Sequence, residues 1–244
     1  MFFDMKRVIQ LSTTFLAALC MTCAALAQPV KHYNIDVKDY TELKVIGDIN
    51  VDYFENQDSA GYVAFEAKPD ISPMITVRNN KGRLEIQFVN ETGNKIENLP
   101  VVRVYSNFLI KAENVGDSTL RVIKAASCPA FNCKVTGNGR LVVRDIRAND
   151  IGCSLMTGRG TIVINGKCTE ASLSLTGTGT IQADGLEAKT VKCRNTGTGT
   201  IGCFATEFMQ VSGAGSGTIY YRGTPKIKKV LAMGVKIEPM DNAQ

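Results

Sequence analysis

Between residues 136 and 219 one short phrase recurs five times. It reads Thr136-Gly137-Asn138-Gly139-Arg140-Leu141, Thr157-Gly158-Arg159-Gly160-Thr161-Ile162, Thr176-Gly177-Thr178-Gly179-Thr180-Ile181, Thr196-Gly197-Thr198-Gly199-Thr200-Ile201 and Ala214-Gly215-Ser216-Gly217-Thr218-Ile219. The first glycines of successive copies lie 21, 19, 20 and 18 residues apart. A period near this length is the signature of a solenoid, in which no copy can bury its apolar face alone and neighbours stack to share one core. Taken singly, Gly197, Gly199 and Gly202 spell the G-x-G-x-x-G of a dinucleotide-binding loop. That loop needs a helix opening on it and an acidic residue about twenty positions later. Here Cys203 to Phe208 lead straight into the next glycine cluster at 213–217, so no helix fits. The glycines belong to a repeat, and no nucleotide is expected.

Aligning every twentieth residue exposes the core. One column reads Cys133, Cys153, Leu173, Cys193, and another Val135, Leu155, Leu175, Asn195. After the glycines stand Leu141, Ile162, Ile181, Ile201 and Ile219, and two positions on Val143, Ile164, Ala183, Cys203 and Tyr221. Alternation by two within a repeat, with the same apolar type recurring between repeats, means strands whose inward side chains stack in ladders. Strands repeating at one phase in every turn run parallel. The fold class is therefore all-β, a parallel β-helix of about 20 residues per rung, right-handed by the handedness preference of parallel crossovers. The glycine pairs are expected at its corners, where φ > 0 carries no steric cost and stacked backbones approach closely. Arg140, Thr161, Thr180, Thr200 and Thr218 should form an outward ladder beside them.

Ahead of the repeats, residues 41–112 read as short alternating strands. Leu43 and Val45, then Ile49, Val51 and Tyr53, share a face, and Asn79-Asn80-Lys81-Gly82 between two such runs signals a hairpin. Residues 58–61 and 91–94 read as loops. The expected organisation is a tail over 28–40, one β-helical domain over 41–237 with its glycine-corner part over 113–237, and a tail over 238–244.

Residues 1–27 have the grammar of a secretory signal: Lys6-Arg7, an apolar run over 8–26, and Ala25-Leu26-Ala27 before Gln28. Export to the periplasm, the cell surface or the medium follows, and no later stretch is long and apolar enough for a membrane span. The remaining charges are mixed along the chain rather than clustered and Trp is absent, so the basic stripe with aromatic platforms that nucleic acid requires is missing. Six cysteines lie beyond the signal. They fit either as small apolar fillers of a narrow core or as a Cys128–Cys133 staple. Zinc is not expected, because no C-x-x-C occurs among them and the one histidine, His32, stands near the new N-terminus as a solvated residue.

No catalytic constellation emerges. Asp145, Asp150, Glu170, Asp184, Glu187 and Glu207 fall at mixed phases of the repeat, and no acidic column or G-G-x-G-x-D calcium corner is present. Asn195, the polar intruder in an inner column, is expected to bond the corner backbone.

The pair of strands around Gly47-Asp48-Ile49-Asn50, the hairpin Asn79-Asn80-Lys81-Gly82-Arg83-Leu84-Glu85-Ile86, the serial corners, and Tyr220-Tyr221-Arg222-Gly223-Thr224-Pro225-Lys226-Ile227 together resemble the "putative auto-transporter adhesin, head GIN domain" family of exported Bacteroidetes proteins. The resemblance spans 41–237. It implies a β-helical fold and an adhesive or cell-surface role, and brings no catalytic or cofactor residues with it. The expectation is a non-enzymatic exported binding module for an envelope or host-surface protein or glycan. The alternative is a periplasmic structural or envelope-stress module that adheres to nothing.

Overall fold

The computed structural model describes residues 29–90, 96 and 98–240. The signal segment and the loop at 91–94 lie outside them. Nine short strands come first: β1 (Lys31–Asp36), β2 (Glu42–Ile46), β3 (Val51–Glu55), β4 (Tyr62–Ala67), β5 (Ile75–Asn80), β6 (Arg83–Phe88), β7 (Val102–Ser106), β8 (Lys111–Val115) and β9 (Thr119–Lys124). Longer strands then wrap around the corners: β10 (Cys128–Thr136), β11 (Arg140–Met156), β12 (Thr161–Gly177), β13 (Thr180–Gly197) and β14 (Thr200–Ala214). The chain closes with β15 (Thr218–Arg222), β16 (Lys226–Met233) and β17 (Lys236–Pro239). They build a β-solenoid of about six turns with rungs about 20 residues apart.

The registers follow the sequence columns. One inner ladder runs Val102, Val51, Leu120, Leu141, Ile162, Ile181, Ile201, Ile219 and Ile237, each opposite the next in parallel strands. A second runs Leu84, Leu43, Ala112, Cys133, Cys153, Leu173, Cys193 and Val211. All but Ile237, on the terminal rung, are buried. Each such aliphatic side chain contributes about 2 kcal/mol by leaving water. The Thr161–Thr180–Thr200–Thr218 outer ladder is present, with Arg140 below it.

Stacking reaches further towards the N-terminus than the glycine corners do. β2 lies between β6 and β8, and β3 between β7 and β9, all parallel, so the segment 42–55 is itself a rung inserted between two later ones. The far end is closed by antiparallel pairing. β5 folds onto β6 through Lys81 (φ 51°) and Gly82 (φ 82°), the predicted hairpin. β4 covers β7 and β1 covers β4. Within the span expected as a tail, residues 31–36 form a strand. β1 pairs along its whole length, with Tyr33 stacked on Phe65 at 5.0 Å, and His32 sits exposed on it, 3.4 Å from Glu66. At the other end Glu238 and Pro239 complete β17 rather than beginning a tail.

The corner glycines divide into two classes, where the sequence suggests one. Gly137, Gly158, Gly177, Gly197 and Gly215 all have positive φ, and Gly47, Gly116 and Gly234 extend the same column at both ends. Along the column a Cβ at Gly197 would fall 2.3 Å from the Gly177 carbonyl oxygen. Gly139, Gly160, Gly179, Gly199 and Gly217 do not have positive φ. They are required by crowding: a Cβ at Gly199 would meet the Gly179 oxygen at 2.5 Å and Leu175 Cδ2 at 2.6 Å. Those oxygens accept the hydrogen bonds that lock the next rung, for example Thr200 N to Gly179 O at 3.0 Å.

Asn195 donates to the Gly199 carbonyl (2.9 Å), as its column position suggests, and its Oδ1 is buried without a partner. Asn114, three rungs before Leu175 in the same column, does the equivalent work: its amide donates to the carbonyls of Ser118 (2.8 Å) and Arg140 (3.0 Å). The six cysteines among the described residues are free thiols, so the Cys128–Cys133 staple is absent. Burial, with the Cys153 thiol beside it, pushes Cys133 well up, and burial pushes Cys168 up to about 12. The Cys203 contact and burial raise Cys193.

Candidate functional site

Every rung turns again some five to seven residues after the glycine corner, and here the strict period breaks. The pairing register slips between Val143 and Ile146, between Val163 and Asn165, and between Ala183 and Glu187. A bulge lets the strand bend while its neighbours keep pairing. Asp145 takes a left-handed conformation (φ 50°), and Gly166 (φ 142°) lies so near the Ile146 carbonyl that a Cβ there would fall 2.0 Å from its oxygen. Asn165 occupies the space a side chain at Gly185 would need.

These second corners enclose an open cleft of about 340 Å³. Its floor is a register column on the outer face: Arg147, Lys167, Glu187, Phe204 and Arg222 on five successive rungs. Lys167 Nζ pairs with Glu187 Oε2 at 2.9 Å, and the Arg222 guanidinium lies 5.0 Å over the Phe204 ring. A cation in that position is held by the ring quadrupole and keeps its donors available. Asp145 and Asp184 line the rim. No ion pair engages Asp145, Arg147 or Asp184 within 4.0 Å among the described residues. The cleft therefore offers carboxylates and a guanidinium that no ion pair engages, beside an arginine seated on an aromatic ring, which suits recognition of a polar ligand by hydrogen bonds.

Elsewhere several outer charges are paired across rungs. Glu42 pairs with Arg83 and Lys111, Asp52 with Arg121, Glu113 with Lys134, and Glu170 with Lys192, each between neighbouring rungs. The Arg83 hydrogen bond holds the Glu42 carboxyl below its ordinary value. A hollow of about 460 Å³ over Gly152, Ser154, Ser172 and Ser174 is bordered by Lys111 and Lys134.

Three of the carboxylates that the sequence places at mixed phases, Asp145, Asp184 and Glu187, are brought to this one cleft. Asp150 and Glu170 are register partners on a neighbouring wall, and Glu207 faces Lys189 at 3.9 Å. Among the described residues, no three His, Cys, Asp or Glu side chains gather closely enough to hold a metal ion. The corner glycines of the sequence reading line none of the cleft. In the sequence Phe204, Arg222 and Arg147 share no pattern; only the bulges bring their rungs into line.

No helix among the described residues is long and apolar enough to cross a membrane. Among curated proteins none matches the sequence. Solved structures do. A putative adhesin from Bacteroides fragilis superposes with a TM-score of 0.78 at 21% identity, covering 88% of this chain and 98% of that one. A putative adhesin from Parabacteroides distasonis gives 0.70 at 24% identity with the same coverage. A protein from the same organism, described as a putative lipid binding protein, gives 0.69 at 21%, again covering 88% and 98%. At these identities the likeness establishes the fold. The sequence itself matches a family across residues 39–225, a span that takes in the N-terminal rungs, the glycine corners and the cleft. The chain belongs to the family described as "Putative auto-transporter adhesin, head GIN domain".

Proposed function

We propose that this chain is an exported, non-enzymatic binding module with an adhesin-like role, and that the second-corner cleft is its contact site for a glycan or protein of a cell envelope or host surface. The observation that carries the reading is the cleft's unpaired charge. Asp145, Arg147 and Asp184, none of them in an ion pair among the described residues, converge on one concave surface beside the Phe204–Arg222 pair. Leaving such groups unpaired yields nothing for folding, whereas a ligand can use them. Family membership supports the adhesive role, by analogy rather than by site chemistry. The reading needs no nucleotide, metal or cofactor, and its one histidine lies on β1 in the N-terminal cap. The neighbour named as a lipid binder adds lipids to the classes worth screening.

Glycan, extracellular-matrix and lipid arrays probed with the purified protein test this. Binding to one class, lost in Phe204→Ala and in Arg147→Glu with melting unchanged, is the expected result. Blank arrays would favour the alternative, a periplasmic structural module.

A further inference from the structure

The last rung is unlike every other. Among the described residues β16 pairs only with β14 and β17 only with β15, and nothing pairs with their far edges. Four lysines stand there, Lys226, Lys228, Lys229 and Lys236, against the single acid Glu238, and none makes an ion pair among the described residues. Their register partners Phe208, Gln210, Val211 and Thr218 carry no charge, whereas lysines of earlier rungs such as Lys134 and Lys192 face a glutamate.

Apolar side chains are mixed with this charge. The β14–β16 register slips between Val211 and Gly213, which inserts one extra residue into β16. Within the bulge Leu231 adopts φ 49°, a conformation unfavourable for a leucine, and its side chain is 82% exposed. Met233, two residues on, is 71% exposed. Strain that gains no packing in return is a pointer to function.

Edge protection accounts for part of this. Lys229 ends the inner column that runs through Cys193 and Val211, and an inward charge on a terminal strand blocks further stacking. It does not account for Leu231 and Met233, since a protective edge would keep large apolar groups out of water. Lysines around exposed leucine and methionine are the combination that seats a protein on an anionic lipid surface: the ammonium groups meet the headgroups and the apolar side chains enter the acyl boundary.

We infer that the C-terminal rung, through Lys226, Lys228, Lys236, Leu231 and Met233, docks the solenoid end-on against an anionic bilayer surface. This surface is separate from the second-corner cleft, and the inference does not rest on the cleft's binding anything.

Co-sedimentation tests it, using vesicles of phosphatidylglycerol and phosphatidylethanolamine in equal parts, with phosphatidylcholine vesicles for comparison. The protein is expected to sediment with the first and not the second, and to dissociate as salt is raised. Leu231→Ser with Met233→Ser, and separately Lys226→Glu with Lys228→Glu, should each weaken binding by about tenfold or more with melting unchanged. No sedimentation, or equal sedimentation by both double variants, would overturn the inference. So would a dimer, seen by light scattering, that Leu231→Ser with Met233→Ser dissociates in the absence of vesicle binding, since the tip would then serve a second copy.

Discussion

A methyl group added at Gly199 would meet the Gly179 carbonyl oxygen at 2.5 Å and Leu175 at 2.6 Å, while one added at Gly82 would meet nothing within 4 Å. The two positions separate crowding from conformation. Gly82 has positive φ and open surroundings, so Gly82→Ala carries only the left-handed penalty, about 1 kcal/mol. Gly199 has no such φ, yet Gly199→Ala must push a rung away from its neighbour and is expected to cost about 3 kcal/mol. Chemical denaturation of both variants measures the difference; equal losses would show that the second glycines serve only as turn residues. Asn195 supplies a companion test. Asn195→Ala removes the donor to the buried Gly199 carbonyl and should cost about 1–2 kcal/mol, read as a lowered denaturation midpoint. Asn195 was visible in the sequence because it breaks an apolar column. Asn114, which does the same at the other end, was not, because its corner reads Gly116-Asp117-Ser118 and lacks the second glycine that marks the repeat.

Among the elements, β10 to β14 were legible because each rung meets the same neighbours in the same register, and a shared environment selects the same residue type every twenty positions. The rung formed by β2 and β3 was not, since β4 to β7 are threaded between it and its partners β8 and β9 in chain order. Their alternation marks them as strands, but no twenty-residue column ties them to their neighbours in the stack. The cleft was hidden for a different reason: the bulges after Val143, Val163 and Ala183 shift the phase that the alignment relies on. The buried thiols and phenols of these strands set a pH limit. Burial pushes Cys168 and Tyr53 up to about 12, and raises Cys133 and Tyr40 well above their ordinary values. Above about pH 9 for cysteine and about pH 10 for tyrosine the unfolded chain gives up protons that the folded chain retains. The native state then binds more protons than the unfolded one, so stability falls as pH rises through that window and is unaffected by these groups below it. Melting temperatures from pH 7 to 11 should decline accordingly, and a flat profile would contradict the burial. The same burial predicts that all six cysteines beyond residue 27 titrate as thiols in denaturant, and that Cys133, Cys153, Cys193 and Cys203 react slowly in the native protein at pH 8.

The whole molecule is a quasi-one-dimensional stack with unequal ends. Antiparallel strands close the N-terminal end, and a rung whose outer edge is unpaired among the described residues forms the other. Because each rung contacts only its neighbours, protection should be graded rather than uniform. Amide exchange is expected to be slowest from β11 to β14 and fastest in β16 and β17; equal protection along the chain would mean that the stack unfolds as a single unit. A column of this kind places the cleft partway along its side and the basic, apolar tip at one end. Adhesion requires that the module be outside the cell. Labelling of intact cells with a membrane-impermeant amine reagent, which the exposed lysines of β16 would accept, puts that to the test against lysed cells. The adhesin reading predicts strong labelling of the protein on intact cells, whereas labelling only after lysis would contradict it and leave a module confined within the envelope.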